Sequence, residues 1–588
     1  MAMTDQNSDQ LVQRLAEYWS LMQRAQQLFL RAANLSAARV TGGEFSISDT
    51  ASIMAAYAKV GMSIAAKPAE LMSIQQAAFT NMAKVWMSGW SGADNEVRDR
   101  RFKDDSWSDD PMARVCRDVY LAMEEAVLDI LNQFPKGSKE QLRVEFYTRQ
   151  ILSALAPSNF LALNPQAKKK LLKTDGQSLL NGFKNLLDDL ERGDGRLDIA
   201  TNDETAFVVG RDLGTTPGKV VYQNELMQLI QFEPRTETQR KRPILFVPAW
   251  INKYYIMDMR EKNSLVRYML DRGHTVFIIS WVNPGPEHAE KSFEHYMNEG
   301  PLAALDAIEQ ATGEKKVNIL GFCIGGILVT ATLAYLAAKK DTRIASATTL
   351  ATMVDFTDVG EIGVFIDEDR LVALREHMAE KGHLEGHHLR DMFSMIREND
   401  LVWSFHVMNY LMGNKPPAFD LLYWNSDSTR LPAAMLLWYL EEIYLKNALR
   451  KSGGLTLNGT KIDIGKVKTP CFVLATKEDH IAPWTSVYPT ARLLGGEVNF
   501  VLGGSGHIAG VINPPSDRPK YGYWTNPDYP EDHEEWFENA TETKGSWWPA
   551  WADWVEAKDR AKQVPARVPG DGALEVIEDA PGSYVLAK

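Results

Sequence analysis

The clearest chemical signature in this sequence surrounds Cys323, set in Gly321-Phe-Cys-Ile-Gly325-Gly326. A mostly apolar run, Val317 to Leu320, leads into it, and a helix-like segment, Ile327 to Ala338, follows. The pattern predicts a strand, a sharp turn and a helix, with the thiol at the turn. The turn is strained and its backbone runs close to neighbouring elements, so a Cβ at either flank would collide, which explains the glycines. A helix N-terminus presents backbone N–H groups that favour negative charge, which suits a sulfur nucleophile. The competing reading is a buried structural cysteine in a Gly-rich turn.

A nucleophile needs a base, and the base needs an orienting acid. Thr469 to Ala475 reads as a buried strand and runs into Thr-Lys-Glu-Asp479-His480; Val498 to Leu502 reads as another and runs into Gly503-Gly-Ser-Gly506-His507. Cys323, Asp479 and His507 therefore follow one another as nucleophile, acid and base, each just past a strand. This is the order of α/β-hydrolases, whose G-x-S-x-G turn is reproduced here with Cys for Ser. His480 is a rival base, although Asp479, its immediate neighbour, could not readily orient it. An oxyanion hole needs two N–H donors. Ile324 supplies one, and the turn after Ile244–Val247, at Trp250 or Ile251, is the candidate for the other; an ordinary strand–loop with aromatic packing reads equally well there.

His383, His387 and His388 cluster in a charged helical stretch, with His383 and His387 at metal-compatible spacing. No Glu follows His383 directly and no Cys lies nearby. A solvated helix face is the expected reading, and no metal is expected. Cys116 and Cys471 read as small core residues.

The elements that must position these groups follow from the wider pattern. A chain of 588 residues implies about two to four domains. With 45% hydrophobic and 24% charged residues the composition is that of a globular protein. No run of about 18 apolar residues occurs, so no membrane-spanning helix is expected, and Met1 to Gln10 has no signal-peptide pattern. Three cysteines suit a reducing cytoplasm, and a net charge of −13 argues against nucleic-acid binding. Residues 1–205 read as a helical N-terminal domain, with apolar stripes at Leu11, Leu15, Tyr18, Leu21, Met22 and Leu28, and from Ala69 to Trp86. Such stripes suit packing within the domain or an apolar face for a partner. Residues 206–588 read as an α/β catalytic domain with a mostly parallel sheet, interrupted at about 355–449 by a Met- and aromatic-rich helical insertion that would cap the active site. The aromatic tail from Ser546 to Trp554 is expected to pack onto that domain.

The sequence resembles the polyhydroxyalkanoate synthases, most closely the class I, poly(3-hydroxybutyrate)-type enzymes. The resemblance rests on the lipase-box-like Gly321-Phe-Cys323-Ile-Gly-Gly326, on Asp99 to Trp107, Ala156 to Pro165, Val247 to Tyr255, Ser280 to Pro284, Tyr423 to Pro432, Lys477 to Trp484, Gly503 to Pro515 and Gly545 to Pro549. It covers nearly the whole chain. Ile327, where Thr is usual, and Trp250, where a smaller residue is common, depart from the family near the presumed acyl site. The resemblance implies polymerisation of (R)-3-hydroxyacyl-CoA into a polyester with release of CoA, Cys323 as acyl carrier and His507 as its base. It implies that Asp479 activates the attacking hydroxyl, through or alongside His507. It places Trp250, Tyr423, Trp424 and Asn425 as candidates for the substrate pocket. It implies no cofactor beyond the CoA of the substrate, a homodimer, and a cytoplasmic enzyme on polyester granules with granule-associated proteins. A Cys-dependent hydrolase, thioesterase or dienelactone-hydrolase-like, is the alternative.

Overall fold

A computed structural model of the chain describes residues 19–34, 50–91, 97–132, 138–559 and 563–588. The stripe residues Leu11, Leu15 and Tyr18 lie outside the described residues. The chain forms two compact units: residues 1–203 with 391–418, and residues 204–390 with 419–588. The expected insertion at 355–449 is thus not one body, because its middle belongs to the first unit. Hydrophobic patterning alone does not say which body an amphipathic helix will join.

The first unit is helical, with helices at residues 19–34, Thr50–Ala65, Pro68–Ser91, Pro111–Leu131, Lys139–Ala154, Pro165–Lys173 and Gln177–Arg192. Their starts are written locally. Asp110 accepts from the N–H groups of Met112 and Ala113 ahead of Pro111, and Asn164 caps the helix that begins at Pro165. Leu21, Ala25 and Leu28, spaced for one helix face, are buried against Leu187 and Leu190. The segment 391–418 is tied in by polar contacts: Tyr410 donates to Asp189 at 2.6 Å, and Asn185 donates to the Asn409 carbonyl at 2.9 Å. The stripe from Ala69 to Trp86 lies in the helix Pro68–Ser91, and Met72, Phe79 and Trp86 on it are exposed.

The second unit is built on one eleven-stranded sheet. Its strands are β1 (Gly218–Gln223), β2 (Met227–Phe232), β3 (Ile244–Val247), β4 (Val276–Trp281), β5 (Val317–Phe322), β6 (Ile344–Leu350), β7 (Cys471–Thr476), β8 (Val498–Gly503), β9 (Gly522–Thr525), β10 (Thr541–Lys544) and β11 (Glu578–Asp579). The order across the sheet is β10-β9-β8-β7-β6-β5-β3-β4-β2-β1-β11. The six strands from β8 to β4 are parallel, and the strands outside them pair antiparallel on both flanks. The sheet is therefore mixed, where the sequence predicts a mostly parallel one. Strands β3, β4, β5 and β7 are mostly apolar runs buried along their whole length, as helix-covered strands must be, whereas β6 carries Ser346, Thr348 and Thr349 and β8 starts half-buried. The flanking strands are shorter or mix polar with apolar residues.

The helix after Cys323, Ile324–Lys339, is apolar all round and buried along most of its length. The C-terminal aromatics pack into the core of this unit. Trp547, Trp548 and Trp551 are buried, and their indole N–H groups donate to Gly510 O, Val511 O and Thr348 Oγ1 at 3.0, 3.0 and 2.8 Å. Among the described residues no helix is long and apolar enough to cross a membrane.

Candidate active site

Strand β5 stops at Phe322, and Cys323 makes the turn with φ 53° and ψ −124° before the helix begins at Ile324. A positive φ on a residue with a Cβ is strained and persists only where surrounding contacts fix it. Here the Cys323 N–H donates to Leu350 O at 2.8 Å, and its carbonyl accepts from Gly326 N–H at 2.9 Å and from Thr352 Oγ1 at 3.1 Å. The glycines are required by close approach. A Cβ on Gly321 would lie 2.5 Å from Gly326 Cα, one on Gly325 would lie 2.3 Å from Val247 O, and one on Gly326 would lie 2.0 Å from Thr352 Oγ1.

Parallel pairing aligns the strand ends that carry the other groups. Asp479 follows β7 and His507 follows β8, and His507 Nδ1 lies 2.7 Å from Asp479 Oδ2. Asp479 is fully engaged. Its Oδ2 also accepts from Thr476 Oγ1 at 2.9 Å, and its Oδ1 accepts from the N–H groups of Ile481 and Ala482 at 2.9 and 2.8 Å. The Phe322 ring lies 5.4 Å from the imidazole. Burial works to lower the His507 pKa, but the Asp479 carboxylate and the Cys323 sulfur outweigh it and hold the imidazole well above its ordinary value. The structure thus brings Cys323, Asp479 and His507 together, while His480 is exposed.

The register Val247↔Gly321 sets the turn after β3 beside the Cys323 turn. Ile324 opens the helix, where the first N–H groups have no intrahelical acceptor. Ile251 lies half-buried in the neighbouring turn. Trp250 is buried, its ring among Phe293, Tyr296 and Tyr439 at centroid distances of 6.3, 5.8 and 5.7 Å. Of the other pocket candidates, Trp424 is a buried packing residue whose indole donates to Lys253 O at 2.7 Å, and Tyr423 stacks edge-on against Phe207 at 5.4 Å. Asn425 is half-buried. Ile327 is buried in the helix after Cys323.

Three groups beside Cys323 escape the sequence reading. Thr352 holds its carbonyl. Tyr439 is buried and Tyr444 half-buried, their rings 5.5 Å apart; both interact electrostatically with Cys323, and desolvation drives both phenols upward. The only sequence signal for the tyrosines is the aromatic density of the insertion, because nothing local says which of its rings will face the nucleophile.

Comparison with known proteins bears on this geometry. Residues 98–269 match the family model described as the poly-beta-hydroxybutyrate polymerase (PhaC) N-terminus, and residues 242–514 match that of the alpha/beta hydrolase fold. The chain is 47% identical over 493 residues to the poly(3-hydroxyalkanoate) polymerase subunit PhaC of Rhizobium etli, covering 84% of this chain and 77% of that protein. The chain belongs to the poly(3-hydroxyalkanoate) polymerase family. The poly(3-hydroxyalkanoate) polymerase of Methylorubrum extorquens is 45% identical, covering 92% of this chain and 88% of its own length. The PhaC subunit of Cupriavidus necator is 41% identical and covers 90% of each chain. As a poly(3-hydroxyalkanoate) polymerase, the protein is an acyltransferase with an α/β-hydrolase catalytic unit.

Proposed function

We propose that this poly(3-hydroxyalkanoate) polymerase extends its polyester through an acyl thioester on Cys323. The observation that carries the reading is the Asp479–His507 contact at 2.7 Å with Cys323 coupled to the same imidazole at a strained strand end. His507 takes the thiol proton for attack of the sulfur on the substrate thioester and passes it to the departing CoA thiolate, and the N–H groups of Ile324 and Ile251 face the developing oxyanion. Thioester exchange is close to thermoneutral, so the acyl group stays activated on sulfur. Attack by a hydroxyl then forms an oxoester and runs downhill. His507 removes the hydroxyl proton and returns it to the leaving thiolate, so atoms and charge balance in both half-reactions. Asp479 accepts four hydrogen bonds, which supports its action through His507 rather than directly on the hydroxyl. Tyr439 and Tyr444 cover the sulfur and help exclude the water that would hydrolyse the intermediate.

The substrate we assign is (R)-3-hydroxyacyl-CoA, with 3-hydroxybutyryl-CoA as the first choice, in a class I homodimer at the surface of cytoplasmic polyester granules, where granule-associated proteins would meet it. The family match supports the acyl donor, and the exposed apolar side chains of the helix Pro68–Ser91 suit granule attachment. The second reading, a Cys-dependent hydrolase, draws on the α/β-hydrolase fold alone. Purified protein supplied with 3-hydroxybutyryl-CoA separates the two: CoA with insoluble polymer supports polymerisation, and CoA with free acid overturns it.

A further inference from the structure

Away from Cys323, three metal-ligating side chains converge within the second unit. His377 lies on the helix Glu368–Lys381, Glu385 precedes the helix Gly386–Ile396, and His388 lies in the first turn of that helix. One ligand atom from each lies within 4.8 Å of the other two. His377 Nε2 is 3.5 Å and His388 Nε2 is 3.7 Å from Glu385 Oε2, and the three side chains are 13%, 15% and 26% exposed in the order His377, His388, Glu385. A tetrahedral ion with bonds of about 2.0–2.1 Å sets its ligand atoms roughly 3.3 Å apart, so the two carboxylate–imidazole edges are already close to that spacing, and the imidazole–imidazole edge, within 4.8 Å, is the one a metal would draw in. Glu385 Oε2 is buried and accepts no hydrogen bond, while Lys381 is paired with the other oxygen. The second oxygen is therefore oriented by an outer partner, as metal-bound carboxylates are. This is not the set that sequence spacing singles out. His383 pairs in a short strand with Pro432, and the His387 ring lies 4.1 Å from that of His388.

We propose that His377, Glu385 and His388 bind a divalent cation of the zinc type, with water completing a four-coordinate shell. Two imidazoles and one carboxylate are a donor set suited to zinc rather than to calcium or magnesium, which take oxygen ligands. The position gives the ion a consequence. Segment 383–384 pairs with 431–432, and Ala433 N–H donates to Gly382 O at 3.0 Å. Residue 433 opens the helical run that carries Tyr439 and Tyr444, the two phenols that interact electrostatically with Cys323. An ion at this triangle would fasten the base of the cover to the helix Glu368–Lys381.

The test uses full-length protein carrying Cys323→Ala, because a thiol beside an imidazole would itself attract zinc. After treatment with a chelator, titration with Zn2+ should show one ion per chain. Co2+ should give the intense visible absorption of a four-coordinate site. Glu385→Gln and His388→Gln, each added to that background and checked for fold by circular dichroism, should weaken Zn2+ binding more than about 100-fold, since losing a group that merely orients a ligand costs about 10–100-fold. Zn2+ should also slow hydrogen exchange in residues 431–445. Absence of stoichiometric Zn2+ binding, or equal binding by both variants, would overturn the site and leave the three groups as an ion-paired cluster with Lys381.

Discussion

In the proposed mechanism Cys323, Asp479 and His507 divide the chemistry between a strained turn, a saturated carboxylate and a largely buried imidazole. Replacing Cys323 with Ala removes the acyl carrier and should lower CoA release about 10^4-fold or more without unfolding the protein. Cys323→Ser should also be drastically slowed, because its acyl-enzyme would be a less reactive oxoester. Asp479→Asn should lose acylation together with elongation if Asp479 works only through His507; single-turnover acylation set against polymer yield measures this. In the same variant the carboxylate that raises the imidazole is gone while the burial that lowers it stays. The His507 titration, followed by NMR of labelled histidine, should then move to lower pH. An unmoved titration would mean that Asp479 does not set the state of the base. The three residues are legible in the sequence because each sits at a strand end in a fixed order, and Gly321, Gly325 and Gly326 mark where a Cβ cannot go. Thr352, Tyr439 and Tyr444 are not legible, since they reach Cys323 only through tertiary packing.

At the scale of elements, the sheet reads well at its centre and poorly at its rims. Strands β3 to β5, β7 and β8 announce themselves as short, mostly apolar runs because helices cover both faces, and β6 does so through its β-branched residues. Strands β1 and β2, and β9 to β11, interleave polar residues or run only two to four residues, too little to build a periodic signal. The tail from Trp547 is legible as packing, but its target is not. Two of its indoles hold the backbone at Gly510 and Val511, just past His507. Trp547→Phe should keep most of the apolar burial and lose one hydrogen bond, costing about 1 kcal/mol. Urea denaturation should register that loss, and acylation should slow further than the stability change accounts for, because the His507 loop is less firmly held. An acylation rate equal to that of the unaltered protein would show that this brace does not position the base.

At the scale of the molecule, the linear plan of a helical domain followed by a capped catalytic domain gives way to an interleaved one. Residues 391–418 lie in the first unit although both of their flanks lie in the second. Deleting residues 1–203 would therefore remove the partners of Tyr410 and Asn409 while leaving those residues in the chain. Such a truncated protein should retain the sheet but become prone to aggregation, visible as higher-order species in sedimentation. A truncation that also replaces 391–418 with a short linker should behave better. If both truncations sediment alike, the segment is dispensable to the first unit.

The interleaving also sets a timetable for synthesis. The first part of the first unit leaves the ribosome up to residue 203, yet its last piece begins about 190 residues later, at residue 391. At about 5–20 residues per second the nascent helices wait on the order of 10–40 seconds for it. During that interval Asp189 and Asn185 have no Tyr410 or Asn409 to meet. The second unit starts to emerge during the same wait, so neither unit can be completed before the other has begun. Slowing translation between residues 204 and 390 should lengthen that exposure and reduce the yield of soluble enzyme, whereas the same delay placed after residue 418 should not.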